Sequence, residues 1–374
     1  MSNSSKTIRV LHFYKTCYPY SFGGVEQVIH QLCMGGTSHG IVNEVLVLSP
    51  EGTDETVEVD GYTIHRVKQT FEVASTGFSI KAFSRFKKLA KEVDVIHYHF
   101  PWPFMDLVHI FSRLKKPSVV SYHSDIIRQK TLLKFYRPLM HYFLSDVTSI
   151  TAASPNYLAS SNVLEQYKDK SEVIPFGLDR HSYPIPETEL FEQWEKVTGN
   201  KFFLFLGVLR YYKGLHILLD ALIGLDYPVV IAGSGPIETE LFEHAQKLNL
   251  KNVHFVGKVS EEDKSTLLST CYGVVFPSHL RSEAFGISLL EGAMYGKPMI
   301  SSEIGTGTTY INIDKKTGVV IPPSDPEALK EALKYLWENE QEAKEMGRNA
   351  EARYWELFTA GKMVESYADL YRQL

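Results

Sequence analysis

Ser282-Glu283-Ala284-Phe285-Gly286-Ile287-Ser288-Leu289-Leu290-Glu291 is the stretch on which the reading of this chain turns. The run before it, 272–276 (Tyr-Gly-Val-Val-Phe), has the apolar pattern of a buried strand, and Pro277-Ser278 ends it. Within and after it, Ile287, Leu290, Ala293 and Met294 recur at the spacing of one helix face. Gly286 therefore falls at a loop-to-helix junction, where free backbone N–H groups and the positive end of a helix dipole gather. Such a junction suits a phosphate. Glu283 stands just before the junction and Glu291 about two turns beyond it. One carboxylate is placed for a sugar ring, the other for a pair of ribose hydroxyls. Two glutamates eight positions apart are also common on ordinary helix surfaces. The Phe-Gly between them and the strand-Pro-Ser before them set this pair apart.

A chain of 374 residues with 44% apolar content is long enough for two or three domains with sizeable cores. A net charge of −5 argues against a general nucleic-acid binder. Three cysteines, Cys17, Cys33 and Cys271, have no metal-ligand spacing, and their odd count points to a reducing compartment. No apolar run reaches the length of a membrane span, and the first residues run into a strand without the apolar stretch of a signal peptide. The expectation is a soluble, cytoplasmic protein. Charge is unevenly spread. Residues 79–137 carry twelve Lys/Arg against four Asp/Glu, interleaved with Phe83, Phe86, Phe100, Trp102, Phe104 and Phe111. That mixture suggests an anionic membrane surface or an anionic lipid-linked substrate as a partner.

Short apolar strands alternate with helical segments along the whole chain, the pattern of a doubly wound α/β architecture. Strands are expected near 8–14, 44–48, 62–66, 94–99, 118–122, 148–152 and 172–175. A second series follows near 202–207, 228–232, 252–256, 272–276, 298–301 and 317–321. Residues 177–200, with Pro184, Pro186 and an acidic run, read as a linker, and 352–374 as a terminal helix with Tyr354, Phe358, Tyr367 and Tyr371 on one side.

In doubly wound sheets ligands bind beyond the carboxyl ends of the strands, so residues just after strands carry the information. After the first strand, Gly23-Gly24 opens a helix expected around Val25 and allows close backbone approach. It is not G-x-G-x-x-G, which disfavours a dehydrogenase. His123-Ser124-Asp125 follows the strand at 118–122. The second series opens with Phe205-Leu-Gly-Val-Leu-Arg210-Tyr-Tyr-Lys213-Gly214. Cations at a helix N-terminus are disfavoured by the dipole, so Arg210 and Lys213 there call for an anion. Ala232-Gly233-Ser-Gly-Pro236, Val256-Gly257-Lys258-Val259 and Gly305-Thr-Gly-Thr-Thr-Tyr310 lie at further strand ends. There is no Asp-x-Asp pattern and no spacing of histidines or cysteines that forms a ligand set, so fixed cations and helix N-termini are expected to supply the electrostatics without a metal.

These motifs resemble those of retaining glycosyltransferases of family 4. The resemblance implies a GT-B fold: two Rossmann-like doubly wound domains facing across a cleft, with 1–180 binding the acceptor, 200–350 binding the nucleotide sugar, and 351–374 returning to the first domain. By resemblance, Glu283 and Glu291 form the E-x7-E motif, gripping sugar hydroxyls and ribose, with Phe285, Gly286 and Ile287 around the donor. Arg210 and Lys213 would neutralise the diphosphate. The family commonly places its arginine directly after the strand's glycine, where this chain has Val208, so Arg210 is two positions displaced. Gly24 and Gly233 would border the donor, and Val256 and Lys258 would mark the base-binding strand end. His123 would contact the sugar, Gly23 would border the acceptor, and Asp125 would either orient His123 or meet the acceptor. No cofactor or metal is implied.

A narrower similarity runs nearly end to end, through Val10–Thr16, Tyr98–Asp106, Phe276–Glu283 and Gly305–Tyr310. It is to enterobacterial mannosyltransferases of polymannose O-antigen assembly. It implies GDP-mannose as donor, undecaprenyl-diphosphate-linked GlcNAc as acceptor, an α-1,3 linkage, and a peripheral position on the inner face of the bacterial plasma membrane. Two rivals are another enzyme of this architecture (a UDP-sugar transferase, a sugar-nucleotide epimerase or a phosphorylase-like enzyme) and a non-catalytic nucleotide-sugar-binding subunit.

Overall fold

The computed structural model describes residues 7–21, 23–73, 76–126 and 130–374. Phe22, in the loop before Gly23, and residues 127–129, inside the basic stretch, lie outside the described residues. The chain divides into two compact units, residues 1–178 with 360–374, and residues 179–359.

The first unit carries strands β1 (Ile8–Phe13), β2 (Ile41–Ser49), β3 (Glu55–Val59), β4 (Tyr62–Lys68), β5 (Phe71–Val73) and β6 (Thr76–Phe78). It continues with β7 (Val95–Phe100), β8 (Ser118–Tyr122), β9 (Ser149–Ala152) and β10 (Ser171–Val173). Its helices α1 (Gly24–Gly36), α2 (Ile80–Glu92), α3 (Pro103–Ser112), α4 (Lys130–Asp146) and α5 (Pro155–Ser160) make the crossovers. Eight strands form one sheet in the order β10-β9-β8-β7-β1-β2-β4-β3. All its pairs are parallel except β3 with β4. β5 and β6 form a separate antiparallel hairpin. The strand order reverses between β1 and β7, which makes that the topological switch point of the unit.

The second unit begins with α6 (Thr188–Thr198) and carries β11 (Phe203–Leu206), β12 (Val229–Ala232), β13 (Val253–Gly257), β14 (Gly273–Phe276), β15 (Met299–Ser302) and β16 (Gly318–Ile321). Its remaining helices are α7 (Leu215–Ala221), α8 (Glu238–Lys247), α9 (Glu261–Thr270), α10 (Ile287–Met294), α11 (Thr308–Ile311), α12 (Pro326–Glu338) and α13 (Glu340–Leu357). The sheet order β13-β12-β11-β14-β15-β16 is the Rossmann order, with its switch point between β11 and β14. Phe203, Phe205, Leu218, Val229, Ile231, Leu329 and Leu333 are buried together in its core, each contributing roughly 1.5–3 kcal/mol by leaving water.

Every expected parallel strand is present. The antiparallel β3 and the β5–β6 hairpin were not expected, because Glu55-Thr-Val-Glu-Val alternates polar and apolar residues instead of presenting an apolar run. Residues 188–198 form a helix, not an open linker. Leu190, Phe191 and Trp194 are half-buried on one side of it, and Trp194 Nε1 donates to Asp263 Oδ1 at 2.8 Å. The aromatic terminal stretch is two helices. Tyr354 and Phe358 belong with α13 and the second unit, and Tyr367 and Tyr371 lie on α14 (Ala360–Gln373), within the first unit.

α14 docks on a polar face of the first sheet. Tyr367 Oη lies 2.7 Å from Ser121 Oγ and 2.8 Å from Thr151 Oγ1, and Tyr371 Oη lies 2.6 Å from His97 Nδ1. All of these groups are buried. Removing one such hydroxyl strands its partners without water, at a cost of about 1–3 kcal/mol. Tyr367→Phe should therefore lower the urea midpoint with an unchanged m-value; an unshifted midpoint would show that the α14 contacts contribute nothing net.

Candidate functional site

At the switch point of the second unit, the loops after β11 and β14 are laced together. His279 N donates to the Tyr212 carbonyl at 3.0 Å, and His279 Nε2 lies 3.1 Å from the Tyr211 carbonyl. Gly214 has φ +72°, and a Cβ there would collide with the Pro277 carbonyl. Only glycine permits both the backbone turn and the approach. This lacing puts Lys213, from the β11 loop, onto Glu283, from the β14 loop. Their ammonium and carboxylate form a buried ion pair, with Ser278 Oγ donating to Glu283 Oε2 at 3.3 Å. Lys213 Nζ also sits 4.6 Å from the centre of the Phe276 ring. Arg210 is exposed, and its guanidinium has no partner among the described residues.

Gly286, at φ +100°, caps α10 with no side chain bonded to the helix N-terminus. The N–H groups after it are left for a ligand or water. Phe285 is buried beneath that turn, where a Cβ on Gly307 would collide with its ring. Glu291, on α10, is 3% exposed; it accepts from Tyr183 Oη at 2.8 Å and pairs with Lys264 Nζ at 3.3 Å. Burial alone would lower the Lys264 pKa, but the Glu291 and Glu261 carboxylates hold it above its ordinary value. At the neighbouring strand ends, Gly207 N donates to the Ala232 carbonyl at 3.0 Å and Gly233 N to the Gly257 carbonyl at 2.7 Å. A Cβ at Gly233 would collide with Gly207, so this row of turns requires that glycine. Val256 is half-buried on the edge strand β13, and Lys258 is exposed just beyond it. In the β15 loop, Arg281 Nη1 donates to the Gly305 carbonyl at 2.8 Å.

In the first unit, α1 begins at Gly24 with Gly23 as its uncapped N-cap, one residue earlier than expected. Glu26, buried in its first turn, accepts from Ser21 Oγ at 3.3 Å, and burial pushes its pKa up. His123 follows β8 and is 7% exposed. Burial lowers its pKa to about 3, and the nearby Lys15 charge adds to this, so it is neutral at pH 7. Asp125 does not serve as the bonded partner of His123 Nε2; His99 Nδ1 does, at 3.0 Å. The Asp125 carboxylate accepts from Tyr122 Oη at 2.9 Å and Ser161 Oγ at 2.7 Å.

Sequence spacing offered no histidine ligand set, and here the fold corrects the reading. His12 on β1 pairs in register with His97 on β7, and His99 is two residues on, so all three share one sheet face. Their ring nitrogens lie within 4.8 Å of one another. Each ring nitrogen already has a hydrogen-bond partner: Asn43, Ser121, Tyr371, His123 or another of the three. The three rings are thus held as one hydrogen-bonded group in the core.

Residues 22–182 match the model of Glycosyltransferase Family 4, and residues 186–353 match that of Glycosyl transferases group 1. The chain belongs to glycosyltransferase family 4. This family 4 glycosyltransferase is 61% identical to the D-rhamnosyltransferase WbpZ of Pseudomonas aeruginosa, over 94% of this chain and 93% of the relative. It is 51% identical to the O-antigen chain mannosyltransferase C of Escherichia coli, over 98% and 99%. Its fold is that of sucrose-phosphate synthase from Thermosynechococcus elongatus, with a TM-score of 0.81, 20% identity and 98% of each chain covered. The Anabaena protein HepE, solved with UDP and glucose, gives 0.78 at 18% identity, covering 98% of this chain and all of that one. Both units are thus the Rossmann-like halves of a GT-B glycosyltransferase.

Of the residues singled out from the sequence, the fold brings Lys213, Glu283, Phe285, Gly286 and Ile287 to the switch point of the second unit. It places Glu291 along α10, and Gly233, Val256 and Lys258 at the adjacent strand ends. Gly23, Gly24, His123 and Asp125 belong to the first unit. Tyr183, Lys264 and the partners of His123 went unnoticed, although His97-x-His99 on one strand was a visible signal, and Ser278 was read only as a strand end. Breaking a buried ion pair from one side leaves an uncompensated charge, which costs about 3–5 kcal/mol when burial is complete. Lys213→Met should therefore destabilise the protein by about 2 kcal/mol or more at this rim position, and adding Glu283→Gln should restore part of the loss. A double-mutant cycle in urea measures the coupling, and additive losses would show that the pair carries none.

Proposed function

We propose that this glycosyltransferase moves mannose, with retention, from GDP-mannose to undecaprenyl-diphosphate-linked GlcNAc, forming an α-1,3 linkage in O-antigen assembly. The observation that carries the reading is the Lys213–Glu283 pair at the switch point, next to the uncapped N-terminus of α10. A fixed cation and a row of free N–H groups suit the diphosphate of a nucleotide sugar. The relatives named as a mannosyltransferase and a D-rhamnosyltransferase support a manno-configured donor, since D-rhamnose is mannose without its 6-hydroxyl. The 61% identity to the latter favours a second reading, a GDP-linked 6-deoxymannose donor.

In this reading, charge grows on the leaving diphosphate as the anomeric carbon becomes oxocarbenium-like. Lys213, Arg210 and the N–H groups of Ile287 and Ser288 hold that charge. Glu283, released from Lys213 as phosphate takes its place, grips the sugar hydroxyls. Glu291 takes the ribose by exchanging its bond from Tyr183. Phe285 supports the turn beneath the sugar, and Val256 and Lys258 border the base. Gly23, Gly24, His123 and Asp125 serve hydroxyls of the substrates from the first unit. No metal is required, because the diphosphate charge is met by these groups.

The test is transfer of labelled sugar from GDP-mannose, GDP-6-deoxymannose and UDP-sugars to a GlcNAc-diphospholipid in EDTA, with product linkage analysis. GDP-mannose is expected to be the preferred donor. Each charged hydrogen bond is worth about 1.5–3 kcal/mol, so Lys213→Ala and Glu283→Ala should each cut turnover per folded molecule at least about tenfold. A UDP-sugar preference would overturn the donor, a requirement for added Mg²⁺ the electrostatics, and near-wild-type turnover in either variant the site.

We also place the enzyme peripherally on the cytoplasmic face of the plasma membrane. Among the described residues, no helix is long and apolar enough to cross a membrane. On α2, Phe86 and Leu89 are buried while Lys87, Lys88 and Lys91 are exposed. Lys81 is paired with Asp54 at 2.5 Å, and Arg85 donates to Thr56 Oγ1 at 2.8 Å, so fewer cations are free than the sequence suggests. Each free cation near an anionic surface is worth about 1 kcal/mol. Co-sedimentation with liposomes should rise with phosphatidylglycerol content and fall with salt; binding indifferent to both, or none, would reject the docking.

A further inference from the structure

The buried histidines of the first unit form a directed chain of hydrogen bonds. It starts at Asn43 on β2, whose Nδ2 donates to the Leu32 and Cys33 carbonyls near the end of α1, at 3.2 and 3.4 Å. Those carbonyls lie near the end of α1, where each can take a second donor on its remaining lone pair. Gly36 leaves room for the amide, since a Cβ there would collide with Nδ2. With both amide hydrogens committed, Asn43 can offer only Oδ1 to His12 Nε2, 3.1 Å away. His12 must therefore carry its proton on Nε2 and accept at Nδ1.

The constraint passes along. His12 Nδ1 lies 3.1 Å from His99 Nε2, so His99 donates from Nε2 and accepts at Nδ1. His99 Nδ1 lies 3.0 Å from His123 Nε2, so His123 donates from Nε2. Burial lowers the pKa of His12 to about 4 and that of His99 well below its ordinary range, so no ring carries the second proton that would break the sequence. The chain ends at His123 Nδ1, which is buried and has no hydrogen-bond partner among the described residues. His97 stacks on His99 and lies tilted against His12, with ring centres 4.4 and 4.8 Å away, but bonds to Ser121 and Tyr371 and stays outside the relay.

We propose that Asn43, His12 and His99 are positioning residues that fix His123 in its Nε2–H tautomer, so that its unpaired Nδ1 accepts a hydrogen bond from a hydroxyl of the substrate sugar. This rests on the reading above that His123 faces substrate. An obligate acceptor selects for a hydroxyl and against the deoxy analogue, because without that hydroxyl the buried lone pair stays unmatched. His123 thereby becomes a specificity determinant whose setting comes from three residues that never touch the sugar.

The test is ¹⁵N NMR of the full chain labelled at histidine, with the His123 signals identified by loss in His123→Gln. Wild type at pH 7 should show a bare Nδ1 and a protonated Nε2. His99→Gln, which keeps an acceptor oxygen opposite His123, should preserve that pattern and most of the kcat/KM for the preferred donor. His99→Phe removes the acceptor. It should mix the two tautomers and lower kcat/KM at least about tenfold, the loss expected when one hydrogen bond goes unmade. A protonated Nδ1 in wild type overturns the proposal even if no variant folds, and so does a tautomer ratio unmoved in folded His99→Phe. Saturating GDP-mannose, or the GlcNAc-diphospholipid, should shift the Nδ1 resonance, and one monodeoxy sugar should abolish that shift. A fixed tautomer with no shift from either probe would remove His123 from the substrate, while product formation would report separately on glycosyl transfer.

Discussion

Parallel strands cannot be joined by tight turns; each strand must be followed by a crossover that carries the chain back to its starting edge. Both units of this glycosyltransferase obey that constraint, and much of their chemistry follows from it. Every loop that leaves the carboxyl end of a parallel strand gathers on one rim, and where the strand order reverses two loops diverge and leave a crevice. In the second unit those loops follow β11 and β14, and they carry Lys213 and Glu283. In the first unit the reversal lies between β1 and β7, the two strands that bring His12, His97 and His99 onto one face. Residues seventy or eighty-five positions apart meet because the topology leaves them nowhere else to go.

What could be read in the chain follows the same logic. Parallel strands buried on both faces are continuous apolar runs, so Phe202–Leu206, Val229–Ala232 and Tyr272–Phe276 announced themselves. The antiparallel edge strand β3 has one face toward water and alternates Glu and Val, and so did not. Glu283, Gly286 and Glu291 could be placed around a loop-to-helix junction because strand, loop and helix follow one another locally in the sequence. Tyr183 and Lys264, which hold Glu291, come from a segment read as linker and from the end-on side of another helix. Nothing local connects them to Glu291. The partner of His123 was sought two residues away, at Asp125, and found instead on the neighbouring strand β7, at His99. Pairing across a sheet is set by register, and register is not written in any single segment.

Most of the charged groups at the candidate sites are already partnered within the protein. Lys213 holds Glu283, Tyr183 and Lys264 hold Glu291, and a whole sheet face in the first unit is a closed set of imidazoles, hydroxyls and one amide. Buried polar groups left open would each cost free energy, so the resting protein satisfies them internally. In the proposed function, binding is an exchange of partners: a substrate replaces bonds that already exist, and discrimination depends on how well it replaces them. Among the candidate site groups, the guanidinium of Arg210 and the Nδ1 of His123 have no hydrogen-bond partner among the described residues, and each can gain a bond from a ligand without first losing one.

The placement of α14 has a consequence for how the molecule is made. The polar face of the first sheet is covered by Tyr367 and Tyr371, and the Ala360 N–H donates to the Leu178 carbonyl at 2.9 Å where the two chain crossings meet. These residues emerge from the ribosome after the whole of the second unit. Until then His97, Ser121 and Thr151 lack the hydroxyl partners that α14 brings, although all ten strands of the first unit have been made. The half translated first is the half completed last, and its final closure reports that the other half has been passed through.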